Sequence, residues 1–201
     1  MEVFCVPCSH FLIADSFPMP VCEFGRAHFC HAFRGHGADY GYCASKKETY
    51  FGFKCHALIT LDGYITAFDV TPASVDDREG LRDLVDGISG ITVLGDKGYA
   101  GAAITEEMRE KGIFLMALKR RDSRTPWPKE VCRTIFRLRR RVETVFSQLA
   151  GQLNAERVLA TSVRGMHARL VCKVLAHNLC MALNRLFGKT VDICQIKELV
   201  F

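Results

Sequence analysis

The dipeptide Asp62-Gly63, set between β-rich runs at 53–61 and 64–70, constrains this chain more than any other local signal. Both residues tolerate positive φ, which a two-residue hairpin needs if its turn is to match the twist of its strands. The chain therefore holds an antiparallel pair early. Its later residues carry a different pattern. Residues 91–95 and 113–118 are short apolar runs, and helical segments separate them: Ser74 and Asp76 offer caps for a helix ending near Gly87, and 102–111 is a helix stopped by Gly112. Ahead of the hairpin, Phe11-Leu12-Ile13-Ala14 reads as a short buried strand. Residues 18–50, rich in Gly, His, Cys and aromatics, read as a long loop of the kind that often serves function. After Trp127-Pro128, the spacing of Val142, Phe146, Leu149 and Leu153 predicts a long helix packed on a sheet, and 170–186 predicts a second, buried one. The pattern is α/β, a mixed sheet flanked by helices; periodicity alone leaves several α/β folds open.

Composition narrows the class. With 201 residues, 49% of them hydrophobic and 24% charged, the chain can bury one substantial core. No run of eighteen apolar residues occurs, and 170–186 is interrupted by Lys173, His177, Asn178 and Arg185, so no membrane span is expected. No basic segment leads into an apolar one at the N-terminus, and the expected location is the cytoplasm. Ten cysteines in that setting read as reduced and buried, Cys43, Cys55, Cys172 and Cys180 among them. Cys5-x2-Cys8 with His10, joined by Cys30 or His31, is the sharpest zinc candidate, but one CxxC without a second pair makes structural zinc an unfavoured reading. Neither a glycine-rich phosphate loop nor a nucleophile elbow is found.

Three carboxylates stand where rigid structure could hold them. Asp15 follows the first strand, Asp96 follows the run at 91–95 with Lys97-Gly98 as a turn, and Glu143 lies on the long helix at the edge of its apolar stripe. Taken singly, each has a plain structural reading: a turn former, a cap, a solvated helix residue with Arg139 and Arg140 one turn away. Taken together they offer hard oxygen ligands for two Mg²⁺ or Mn²⁺ ions, the pair that promotes in-line phosphoryl transfer when about 4 Å apart. Net charge is only +5, yet Lys119, Arg120, Arg121, Arg124, Lys129, Arg133, Arg137, Arg139, Arg140 and Arg141 form a basic block just before Glu143. Beside a metal site such a block reads as phosphate-binding, and Lys97 joins it. For Lys97 and Tyr99, turn and packing roles are equally open; His56 reads as a hydrogen-bonded core histidine or a site-lining one.

The segments DSFPMPVC (15–22), YGYCASKKETYFGFKCH (40–56), VTPASVDDRE (70–79), LGDKGY (94–99) and RRRVETVFSQL (139–149) resemble the catalytic core of DDE-type bacterial insertion-sequence transposases, the 982-type group above all. The resemblance implies a ribonuclease-H-like fold over residues 1–189 with a tail at 190–201. It also implies a metal-binding catalytic triad of Asp15, Asp96 and Glu143, and strand transfer at transposon ends by a homo-oligomer on nucleoid DNA. A broader transposase signature, aligned on Glu143, is met by Arg139 but not by Phe136, where it has Tyr, or Ala150, where it has Lys. The family is also expected to carry an N-terminal helical region that recognises the element's ends, whereas the first strand here begins at Phe11. A truncated product is therefore expected, with a non-catalytic DNA-binding fragment and a stand-alone ribonuclease-H-like nuclease as the competing readings.

Overall fold

The structure, a computed structural model, describes residues 9–119, 125–157 and 159–188. Six strands form one sheet: β1 (Phe11–Pro20), β2 (Asp39–Cys43), β3 (Glu48–Thr60), β4 (Ile65–Pro72), β5 (Thr92–Gly95) and β6 (Phe114–Ala117). Five helices accompany them: α1 (His31–Arg34), α2 (Asp77–Leu84), α3 (Ala102–Glu110), α4 (Lys129–Leu153) and α5 (Val163–Leu186). Among the described residues no helix is long and apolar enough to cross a membrane.

Strand β3 is the spine. Along one edge it pairs antiparallel with β1, from Leu12 opposite Thr60 to Pro20 opposite Gly52. Its other edge is shared, β2 taking residues 48–52 and β4 residues 53–59. On its far side β1 runs parallel to β5, and β5 parallel to β6. The hairpin around Asp62-Gly63 is present, with Gly63 at φ +103°. The expected mixed α/β sheet flanked by helices is what forms, with β1 in its middle.

Side chains alternate across a strand, so β1 serves two cores. Ile13, Phe17 and Met19 join Phe53, Cys55, Ile59 and Leu94 under Val142, Val145 and Leu149 of α4 and Met166 and Leu170 of α5. Leu12 and Ala14 join Leu58 and Val93 under Leu81 and Leu84 of α2 and Ile104 and Met108 of α3. The long helices cover one face and the short helices the other.

Several expectations are corrected. Asp15 does not end a short strand: β1 continues to Pro20, because β3 is long enough to pair with all of it. Residues 18–50 are not one loop. They hold the end of β1, a 3-10 turn (Phe24–Phe29), α1 and β2, organised by Ala27, Phe33 and Ala38, which are buried in the long-helix core. Helix α5 begins at Val163 and is not buried all round; Val171, Leu175, Leu179 and Leu186 are exposed. Cys172 shares that outer face and is exposed, whereas Cys43 and Cys55 are buried as expected; the described cysteines are free thiols. Arg120, Arg121, Cys5, Cys8 and the tail at 190–201 lie outside the described residues.

Candidate active site

The parallel register brings two aspartates side by side. Ile13 of β1 pairs with Leu94 of β5, and two residues further along each strand stand Asp15 and Asp96. Ile13 and Leu94 both face the long helices, so an offset of two directs Asp15 to that face as well. Asp96 leaves the sheet as the cap of a 3-10 turn (Lys97–Tyr99), its Oδ1 accepting from the Gly98 N–H at 2.6 Å. A side chain at Gly98 would crowd both carboxylates: a Cβ there would lie 2.9 Å from Asp96 Oδ1 and 3.3 Å from Asp77 Oδ2.

Helix α4 crosses above this point. Val142, Val145 and Leu149 bury its apolar stripe, and that fixes which residues reach the aspartates. Arg139 and Glu143, one turn apart, line the same cleft as Asp15 and Asp96, a cavity of about 410 Å³. Arg139 Nη2 donates to Asp15 Oδ2 at 3.1 Å; the two side chains are 14% and 21% exposed. Arg139 is therefore committed to Asp15 rather than to a surface pair with Glu143, because packing turns it inward. Burial pushes the Asp15 carboxyl up to about 6, against the opposing pull of Arg139 and of the Ser16 N–H, with the Asp96 charge adding to the rise. Glu143 is exposed to solvent within the cleft.

The cleft is ringed by residues that sequence reasoning passed over. Asp77, the first residue of α2, accepts from Ser16 Oγ at 2.9 Å and from Lys54 Nζ at 3.2 Å. Lys54 also donates to the Val75 carbonyl at 2.8 Å. On the open side, Lys46 in the β2–β3 turn reaches Glu156 beyond α4 at 2.5 Å and straps the cleft. His56 resolves as a core histidine: it is fully buried, its Nε2 is 2.9 Å from Thr71 Oγ1, and its Nδ1 is 3.7 Å from Asp77 Oδ1. Gly80 of α2 permits this, since a Cβ there would meet the imidazole at 2.4 Å. Asp76, read as a cap, is one, its carboxylate accepting from the Arg78 N–H at 2.9 Å. Asp77 sits in the same DD pair, and its acidic neighbour's capping role masked it.

The basic block divides. Lys97 is exposed beside Asp96. Arg137, Arg140 and Arg141 lie on another side of α4, around a recess with Leu61 and Thr144. Lys119 faces a different, more apolar cavity of about 610 Å³, stacked 4.7 Å from the Trp127 ring and donating to the Thr125 carbonyl. Of the described basic residues expected to hold phosphate, Arg139 is the one that lines the cleft with the three carboxylates.

Among the described residues no three carboxylate, imidazole or thiol groups already lie close enough to hold an ion. The donor chemistry nevertheless suits a hard divalent cation: an all-oxygen set in which burial and a neighbouring carboxylate both oppose the ionised form of Asp15.

Residues 7–179 match the family model described as a transposase DDE domain. Over 140 residues the chain is 29% identical to a protein of Neisseria meningitidis serogroup B described as the transposase for insertion sequence element IS1106, a match covering 67% of this chain and 48% of that protein. The chain thus spans about half the length of the curated relative it matches.

Proposed function

The chain belongs to the transposase DDE domain family, and on that footing we propose that it is the catalytic domain of an insertion-sequence transposase, cutting and joining DNA phosphodiesters with Asp15, Asp96 and Glu143 as its metal-binding triad. One observation carries this reading: three carboxylates from β1, the turn after β5 and α4, 128 residues apart at the extremes, line one cleft. Mg²⁺ or Mn²⁺, when bound, supplies Lewis-acid stabilisation of the phosphate charge. The chain's own residues do the rest. Asp15 and Asp96 present oxygens from rigid backbone, Glu143 adds a third carboxylate from a packed helix, and Arg139 balances the charge of Asp15. Lys97 offers a cation to the DNA backbone at the rim, with Arg137, Arg140 and Arg141 extending the contact outward and Lys119, Arg120 and Arg121 completing the set of phosphate-binding cations. In the reaction, water attacks a phosphodiester in line and displaces its 3′-oxygen as a free 3′-hydroxyl, which then attacks a target phosphodiester and displaces that strand's 3′-oxygen. Transposon ends and target DNA are the substrates, a homo-oligomer on nucleoid DNA is the working form, and residues 1–189 make up the domain.

Nicking of supercoiled plasmid in Mn²⁺ tests it. Asp96→Asn and Glu143→Gln should each lower the rate by about a hundredfold or more while the protein stays folded. Equal nicking by wild type and Asp96→Asn would remove the triad. DNA binding without nicking, indifferent to Mg²⁺, would leave a DNA-binding fragment in its place, and hydrolysis without strand transfer a nuclease.

A further inference from the structure

Asp77 makes contacts that neither a cap nor a surface carboxylate explains. Its Oδ1 is held from two strands at once, by Ser16 of β1 and Lys54 of β3. Its Oδ2 faces Gly98, in the turn that Asp96 caps, where a Cβ would lie within 3.3 Å of both carboxylates. Ser16 is the neighbour of Asp15, and its own N–H donates to Asp15 Oδ1 at 2.9 Å. Asp77 is thus one hydrogen bond from the residue beside one proposed ligand, and it opens a helix packed against the turn carrying the other. A second observation points to the same spot. The hydroxyl of Tyr99, a fully buried residue of that same turn, has no hydrogen-bond partner among the described residues. A phenol left unpaired in the interior is a polar group that calls for an explanation, and this one belongs to the turn that Asp96 caps.

We propose that Asp77 is a positioning residue for the divalent cation: anchored by Lys54, it ties the strand of Asp15 to the turn of Asp96 and so sets the spacing of the two ligands. This rests on the metal-binding reading above. The logic is that of groups behind metal ligands generally, whose loss weakens binding without removing a donor. Lys54 matters because its hydrogen bond holds Asp77 in place; Ser16 matters because it passes that placement to β1.

Mn²⁺ titration by calorimetry on the whole chain, with melting followed in parallel, tests the assignment. Asp77→Asn should weaken Mn²⁺ about 10- to 100-fold. Ser16→Ala, which leaves every charge in the cleft unchanged, should weaken it by about threefold or more in the same direction, and Ser16→Thr should restore it. A charge effect alone predicts weakening in Asp77→Asn with Ser16→Ala binding like wild type, and that result overturns the proposal. So does a lowered melting temperature in Asp77→Asn with unchanged Mn²⁺ affinity, the signature of a purely structural role. The parent reading fails differently: Mn²⁺ not bound by wild type, or bound as well by Asp96→Asn, removes the metal site and this proposal with it.

Discussion

Asp15 and Ser16 are consecutive in β1, yet they answer to opposite faces of the sheet. Asp15 is paired with Arg139 of α4, on the face of the long helices; Ser16 bonds Asp77 of α2, on the face of the short ones. Behind Arg139 lies the deeper core, with Ile135, Val142, Val145 and Leu149 of α4 packed on Ile13, Phe17 and Leu94. Behind Asp77 lies a thinner layer whose helices are stitched outside by ion pairs: Arg82 to Glu79 and Glu107, Arg109 to Glu106, Lys111 to Glu107. The contrast locates where electrostatics matter in this molecule. A charge pair set against a deep apolar core is poorly screened and depends on its partner; the outer pairs of the thin face, about a third exposed or more, are screened by water and contribute little.

The two faces should differ most in their cores. Leu149→Ala should cost about 3–4 kcal/mol and Leu81→Ala about 2–3 kcal/mol in urea melts, both being fully buried but the first having more to lose around it. A reversed order would mean that the short-helix face is the better packed. Next come the cleft cations. Arg139→Met strands a mostly buried carboxylate and should cost about 2–3 kcal/mol without metal, against about 1 kcal/mol for Lys54→Met, whose partner keeps Ser16 and more solvent. Equal losses would erase the distinction between the faces. The smallest effects belong to the outer pairs. Glu106→Ala should move stability by no more than about 0.5 kcal/mol.

Acid titration probes the solvated face from another side. Hydrogen bonds from the Arg78 side chain hold the Asp76 carboxyl down at about 2. Since its folded value lies below the unfolded one of about 3.9, its stabilisation is present above that value and is lost as pH falls through 2. With the side chain 47% exposed, the loss should stay well under about 1 kcal/mol. Comparing wild type with Asp76→Asn between pH 5 and 2.5 reads it out; a difference of several kcal/mol would mean that this face is not the solvated one described.

Much of the fold was legible in the residues. The Asp62-Gly63 hairpin, the short runs at 91–95 and 113–118 and the stripe Val142, Phe146, Leu149 carry local periodicities that the tertiary structure keeps. Two things were not legible, and for one reason. The length of β1 and the order within 18–50 both depend on β3, whose thirteen residues pair with β1 on one side and with β2 and β4 on the other. Partners far away in sequence leave no local period. At the cleft, Asp96 after its strand and Glu143 on its helix could be read, whereas Asp15 was expected at the end of a strand that in fact runs on to Pro20. The inward turn of Arg139 could not be read, because Arg137, Arg139, Arg140 and Arg141 look alike until packing chooses among them. Asp77 was hidden by Asp76, whose capping role is visible from the same DD pair.

The Asp15–Arg139 bond spans 124 positions, and that separation has a meaning in time. A chain made at 5–20 residues per second delivers Arg139 roughly 6–25 s after Asp15. Throughout that interval the nascent sheet carries at its middle strand an acid whose counter-charge has not been synthesised. The centre of this protein is begun first and completed late, and a polypeptide released before α4 ends with its sheet unfinished at the cleft.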